Sequence, residues 1–242
     1  MESLLVTNDY ASLGEAESLR VVYDKTTDLV WIDTPSLYEF VDLGLPSGLK
    51  WATTNVGAEK PEEYGLYFAW GETEGYSSIY SRKGFYWGIY KFTTAATGAT
   101  DVTFRGGLTK YNTNSASGTV DNLTTLELVD DAAYVSDNTC RMPTQADLEE
   151  LTANTISTWE TLNGVDGRRF TSKTNGNSIF VPTAGFCNND SIANIRYRCC
   201  LWSSSLDESN PDKGWYLFLN STHMFMDKIF RRNGLSVRAV KK

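Results

Sequence analysis

Short strands, one clear helix and long loops in an irregular α+β arrangement are what this 242-residue chain encodes. Three observations carry that expectation. Short apolar runs recur, each bounded by Gly, Pro, Asn or Asp, as strands between turns are. A single segment joins a helix-start signal to a helical apolar repeat. Residues 73–125, rich in Gly, Ser, Thr, Tyr and Asn, have weak periodicity and read as a loop-dominated insertion held by its aromatic side chains.

Residues 1–36 stand apart as a small extension. Leu19-Arg-Val-Val-Tyr23 and Leu29-Val-Trp-Ile32 flank a polar stretch and predict a β-hairpin, which Asp33-Thr-Pro35 ends with a turn signal. A main domain over residues 37–242 follows. Val41 to Trp51, punctuated by Gly and Pro, predicts strand–turn–strand with Trp51 entering the core, and Tyr64 to Glu72 reads as a buried structural segment. In Arg141-Met-Pro-Thr-Gln-Ala-Asp-Leu-Glu-Glu-Leu151, Thr144 suits the N-cap and Asp147 the N3 position of a capping box, with Leu148 and Leu151 on one face. Residues 169–171, 178–183, 214–219 and 236–240 predict further short strands. Trp51, Phe68, Trp70, Leu148, Leu151, Phe180, Trp202 and Val237 are the expected core.

Composition excludes several classes. With 41% hydrophobic and 13% aromatic residues the chain can build a core, so disorder is not its main state. A formal charge of −8 opposes general nucleic-acid binding, which needs a net basic face. No apolar run reaches the about 18 residues of a membrane span, and the N-terminus has neither a basic n-region nor a long apolar h-region, so no signal peptide is visible. Cys140, Cys187, Cys199 and Cys200 are too few for a disulfide scaffold and read as free thiols. Zinc would have to combine Cys199 and Cys200 with His223, the single histidine, without any metal-type spacing. The expected cofactor set is none, with Glu127-Leu-Val-Asp-Asp131 as the one acidic run able to offer a structural calcium its oxygens.

Two patches near the C-terminus carry unusual side chains. Ser191 to Leu201 mixes large apolar, cationic and thiol groups without helical or strand periodicity, and His223 to Arg232 is similarly mixed. Between and beyond them lie the orthodox segments Trp202-Ser-Ser-Ser205 and Leu235 to Val240. Exposed Tyr, Phe and Arg on such patches are the groups that carry binding energy. The expected binding face comprises Ile195, Arg196, Tyr197, Arg198, Cys199, Cys200, Tyr216, Phe218, His223, Phe225, Asp227, Ile229, Phe230, Arg232 and Asn233.

Several motifs, in order, resemble the Fibrobacter succinogenes major paralogous domain. They are Val41 to Gly57, Glu63 to Glu72, Arg141-Met-Pro-Thr144, Gly176 to Gly185, Trp202 to Ser205 and Ser236-Val-Arg238, and together they span about residues 40–240. That domain is similar to the formylglycine-generating-enzyme branch of the C-type lectin fold, through the Arg141–Thr144 helix start and the Ser236–Arg238 strand. The resemblance implies a C-type-lectin-like fold with paired terminal strands and long loops displayed on one face. A fold does not carry its function with it.

Three functions follow from the resemblance. Oxidases of the fold use a close cysteine pair or a histidine set, neither of which this chain reproduces, and Glu127, Asp130, Asp131, Glu149 and Glu150 are read as solvated or capping charges, so no catalysis is expected. Calcium-dependent lectins of the fold use Glu-Pro-Asn and Trp-Asn-Asp segments that are absent here, while stacking of a glycan on exposed Tyr or Trp stays open. Variable proteins of diversity-generating retroelements use the same fold to display a hypervariable surface made by adenine-directed mutagenesis. Diversified AAY codons reach many residues but not Glu, Gln, Lys, Met or Trp. Residues 192–200 contain only reachable types, and from His223 to Asn233 the unreachable Met224, Met226 and Lys228 alternate with reachable neighbours, as in a segment with fixed inward and varied outward positions. The expected partner is then a protein or glycan receptor on a cell surface, bound by a virion-associated or cell-surface protein. An ordinary adhesin or lectin-like domain is the alternative. A homo-oligomer would raise avidity, with contacts expected in residues 1–36.

Overall fold

The computed structural model describes residues 3–5, 20–24, 29–33, 36–77, 84–95 and 107–242. The chain divides into two compact units, Met1–Leu37 and Tyr38–Lys242. In the first, β1 (Ser3–Leu5), β2 (Arg20–Asp24) and β3 (Leu29–Asp33) form an antiparallel sheet in the order β1-β2-β3. The expected hairpin is β2–β3, and β1 adds a third strand that local patterning did not signal.

The second unit is α+β, made of small antiparallel sheets with few helices. β4 (Phe40–Asp42) and β5 (Lys50–Ala52) flank the Gly- and Pro-rich turn, and β5 also pairs with the C-terminal strand, through Trp51 opposite Val240. A short helix α1 (Ala132–Ser136) and the longer α2 (Gln145–Asn154) follow. β6 (Thr155–Leu162), β7 (Val165–Ser172) and β8 (Ser178–Pro182) form one meander. β9 (Phe186–Asn188) and β10 (Ser191–Ala193) make a small hairpin. β11 (Cys199–Leu206), β12 (Lys213–Leu219) and β13 (Met224–Phe230) form the third three-stranded sheet, and β14 (Val240–Lys241) closes against β5. The described residues within 73–125 form no regular strand, and parts of that stretch lie outside the described residues. No helix among the described residues is long and apolar enough to cross a membrane.

Helix α2 begins where its residues require. The Thr144 hydroxyl accepts from the Asp147 amide at 3.2 Å, and the Asp147 carboxylate accepts from the Thr144 amide at 2.8 Å. Two of the amides that a helix start leaves unpaired are thereby satisfied. Arg141 adds a 2.8 Å ion pair to Asp147 and fixes the approach of the chain. Burial opposes the charge on Asp147, but these hydrogen bonds prevail and hold its pKa below the ordinary value.

The β11–β13 sheet is a partition between two apolar clusters. One face of β11 and β12 contributes Cys200, Trp202, Tyr216 and Phe218 to a core with Phe68, Trp70 and Trp87. The other contributes Cys199, Leu201, Leu217 and Leu219 to a core with Trp51, Leu148, Leu151 and Phe170. A sheet covered on both faces has no polar side, so Cys199–Trp202 reads as a continuous apolar run rather than an alternation. All eight expected core residues, from Trp51 to Val237, are buried.

Three fully buried arginines tie the C-terminal segment to the rest of the domain. Arg238 donates to Asn55 Oδ1 (3.0 Å), to the carbonyls of Ala52 (3.0 Å) and Thr53 (2.8 Å), and to the carbonyl of Phe180 (3.0 Å). Burial lowers its pKa to about 9, which still leaves it cationic at neutral pH. Arg231 donates to Tyr90 Oη and to the carbonyls of Tyr111, Pro211 and Lys110, while its guanidinium lies 4.9 Å from the Trp70 ring centroid. Neither makes an ion pair among the described residues. Several oriented carbonyls, with aromatic faces around Arg231, replace the lost water. Arg238→Ala is expected to lower unfolding free energy by about 3–5 kcal/mol, because it strands four acceptors and opens a cavity. Arg238→Lys should recover little, since one ammonium cannot span the same fork. Urea unfolding followed by tryptophan fluorescence measures both.

Candidate ligand-binding face

The strongest candidate surface is built by β13 and the loop 194–198. β13 pairs with β12, placing Phe225 opposite Phe218 and Asp227 opposite Tyr216. Strand alternation then sends Phe225, Asp227 and Ile229 to one side and Met224, Met226 and Lys228 to the other. Met224 and Met226 pack on the helix-side core, whereas Phe225 is 45% exposed. Its ring stacks on Phe218 with centroids 4.7 Å apart, and the Arg198 guanidinium lies 5.1 Å from the same Phe218 ring. That contact joins the loop to the sheet. Asp227 accepts a 3.4 Å hydrogen bond from the Tyr216 hydroxyl. Burial, nearby Cys200 and this carboxylate all raise the Tyr216 pKa, so the phenol stays protonated and keeps donating.

The backbone of the loop is held by main-chain groups. Arg196 N donates to Thr183 O at 2.9 Å, Tyr197 N and Arg198 N both reach Asn194 O at 3.0 Å, and Gly185 N donates to Arg198 O at 2.8 Å. Gly185 has φ +66°, and a Cβ there would lie 2.3 Å from Ala193 O, so this close approach requires glycine. Arg196 adopts φ 71°, which costs on the order of 1 kcal/mol for a side-chain-bearing residue and aims it outward. Arg196 and Tyr197 are exposed, Tyr197 at 72%.

The expected face divides by depth. Arg196, Tyr197, His223, Phe225 and Asp227 are exposed, and Ile195, Arg198, Ile229 and Phe230 are half-buried. Ile229 and Phe230 pack partly on the aromatic core. His223 sits in the β12–β13 turn, where Asn220 Oδ1 accepts from Thr222 N and His223 N, and the His223 Nδ1 lies 2.7 Å from the Thr222 hydroxyl.

Six residues expected on the surface are buried instead. Cys199 and Cys200 point into the two opposite cores flanking β11. Tyr216 and Phe218 form a floor beneath Asp227 and Phe225, because β12 is the central strand of its sheet. Arg232 donates to Phe85 O at 2.7 Å and Asn188 Oδ1 at 3.0 Å, clamping the aromatic segment and the β9–β10 hairpin. Asn233 is buried in the turn leaving β13, its amide donating to Phe230 O.

The acidic run at 127–131 serves the fold. Asp130 is buried and accepts from Lys91 Nζ, Lys110 Nζ and Tyr111 Oη, each at 2.6 Å. Asp131 caps α1 and accepts from the Met142 amide. Glu127 pairs with Lys110, Glu149 accepts from Gln145, and Glu150 accepts from Ser47. With these carboxylates so occupied, the calcium reading of the run loses its ligands. Among the described residues, no group of three or more His, Cys, Asp or Glu is arranged to hold a metal ion.

The structure also contains a polar cavity that the sequence did not signal, around Asp207 and Trp215 on the other face of the sheet. Asp207 to Pro211 reads locally as an ordinary turn, and only the register of β12 brings Trp215 over it. Comparison with protein-family models, curated proteins and solved structures found no match for this chain.

All four cysteines are buried free thiols, and burial raises Cys140 and Cys200 to about 12. None should react with Ellman's reagent in the native state at neutral pH, and all four should react in guanidinium. Burial pushes the Asp130 pKa upward, yet the hydrogen bonds from Lys110, Lys91 and Tyr111 outweigh it and hold the pKa below 3.8. Its stabilisation is therefore present above that value and lost as pH falls through the folded-state pKa. Asp130→Asn should be clearly less stable than the parent near neutrality, with the gap narrowing below about pH 4 in urea titrations.

Proposed function

We propose that this chain is a non-catalytic ligand-binding protein whose second unit has a C-type-lectin-like fold of the formylglycine-generating-enzyme type. In this reading it displays a diversified surface, as variable proteins of diversity-generating retroelements do. The observation that carries it is the alternation along β13. Met224, Met226 and Lys228, which adenine mutagenesis of AAY codons cannot produce, lie on the face away from Phe225, Asp227 and Ile229. The pinned loop supports the same reading. Main-chain hydrogen bonds hold residues 194–198, so the identities of Arg196 and Tyr197 are free to change at small cost in stability.

Tyr197, Phe225 and Arg196 suit a protein receptor. Aromatic and guanidinium groups on a held backbone bury area with little loss of conformational freedom. The half-exposed Phe225 over buried Phe218 provides a central apolar anchor, and Asp227 and Arg198 provide charges of both signs around it. A receptor on a cell surface, met by a virion or by another cell, fits such a surface, and self-association through the first unit would raise avidity. An ordinary adhesin is the second reading, and it differs in having no diversified DNA.

Two experiments bear on this. A display library randomised at Ile195, Arg196, Tyr197, Phe225 and Asp227 should stay largely folded and yield binders to an arbitrary protein target such as lysozyme. A library at Tyr216, Phe218, Arg232 and Asn233 should lose most folded members. Equal loss of folding in both libraries would end the display reading. At the locus, a near-identical repeat should differ from the codons for 192–233 only at adenines, with a reverse-transcriptase gene nearby. A locus without either leaves the adhesin.

A further inference from the structure

We propose that the cavity beneath Trp215 is a second binding site, for a neutral saccharide, independent of the β13 display face. Trp215 pairs with Lys228 across β12 and β13, one position along from Tyr216 and Asp227, so it projects from the opposite side of the sheet. There the surface forms an open pocket of about 360 Å³, lined by Trp215, Lys228, Asp207, Ser205, Gln145 and Thr124. That size is within the range of small-molecule sites.

The lining selects the ligand by chemistry. Trp215 is half-buried and its indole forms part of the lining, and the electron-rich face of an indole attracts the weakly positive C–H groups of a pyranose ring. Asp207 is buried beside it, and its carboxylate accepts from Ser209 N at 3.1 Å and Asn210 Nδ2 at 3.2 Å and lies 3.4 Å from Lys228 Nζ. A carboxylate has about four acceptor positions, so Asp207 can take a hydroxyl donor from a ligand. The Ser205 hydroxyl accepts from Gln145 N at 3.0 Å and keeps its proton for donation.

Charge narrows the class further. Lys228 Nζ lies 4.4 Å from the Trp215 ring centroid as well as beside Asp207, so the chain's own ammonium already fills the cation position. A cationic ligand would have to displace it. An anionic one would meet Asp207 and Glu208 against Lys228, the one cation among the described lining residues. A neutral polyol meets neither charge penalty, and its hydroxyls suit the carboxylate and the ammonium.

The test uses the full ¹⁵N-labelled chain, titrated separately with maltose, lactose, N,N′-diacetylchitobiose and mannobiose. At least one should produce saturable shifts at the Trp215 indole N–H and the amides of Ser205–Ser209, leaving Phe225 and Asp227 still. Trp215→Ala should weaken that sugar roughly tenfold or more, Trp215→Phe should weaken it less, and Phe225→Ala should leave it unchanged. If circular dichroism shows Trp215→Ala unfolded, Gln145→Ala at the cavity wall takes its place with the same direction of effect expected. Silence with all four sugars overturns the proposal. So do shifts that map to Phe218 and Phe225, or a response to tetramethylammonium alone, which would make this a cation site.

Discussion

The second unit depends on two buried cations, Arg231 and Arg238, that have no anionic partner among the described residues. Arg231 and Arg238 are taken fully out of water, yet each is met by main-chain carbonyls and neutral side-chain oxygens rather than by carboxylates. Several of those carbonyls, such as those of Thr53, Lys110 and Tyr111, belong to segments with little regular structure of their own. A loop carbonyl buried without a donor would cost about 1–3 kcal/mol. One guanidinium, with five donors in a rigid fork, satisfies several at once. The arginines therefore do for long loops what ladder hydrogen bonds do inside a sheet. Arg232 likewise donates to the Phe85 carbonyl and to Asn188 of the β9–β10 hairpin.

This arrangement frees the β11–β13 sheet from holding the loops and lets it divide the domain. Its central strand is covered on both sides, so β12 offers Tyr216 and Phe218 as a rigid floor on one side and Leu217 and Leu219 to the helix-side core on the other. β13 is supported differently. Met224 and Met226 anchor it, and Phe225 and Asp227 rest on the floor with their outer surfaces in solvent. Changes to Phe225 or Asp227 disturb contacts with one buried neighbour each, whereas changes to Phe218 or Tyr216 open the core. Substitutions at the exposed Phe225 and Asp227 should therefore cost less stability than substitutions at the buried Phe218 and Tyr216.

The same sheet separates two surfaces of different chemistry. The side carrying Phe225, Arg198 and Tyr197 is aromatic and mixed in charge, suited to a broad protein contact. The side carrying Trp215 and Asp207 is concave and rich in hydroxyl and amide groups, suited to a small polar ligand. Because strand side chains alternate, ligands on the two sides touch different residues of β12 and β13.

By itself the sequence determined what rests on neighbours close along the chain. The Thr144–Asp147 capping box, the β4–β5 turn, the β2–β3 hairpin and the Met224–Met226–Lys228 alternation were all readable, because each depends on spacing of a few residues. The aromatic core was readable too, since Trp and Phe in strand-like runs have few other places to go. Only the tertiary structure decided which members of the unusual patches reach the surface. Cys199, Cys200, Tyr216, Phe218, Arg232 and Asn233 carry the composition of a binding surface, yet they are enclosed by Trp70, Leu148, Phe85 and others distant in sequence. A strand's alternation separates its two faces but cannot say whether one or both are covered. A guanidinium in a loop is read as exposed until the carbonyls that surround it are known. For the same reason the Asp207–Trp215 cavity could not be foreseen: it exists only where the turn after β11, the strand β12 and the start of α2 meet.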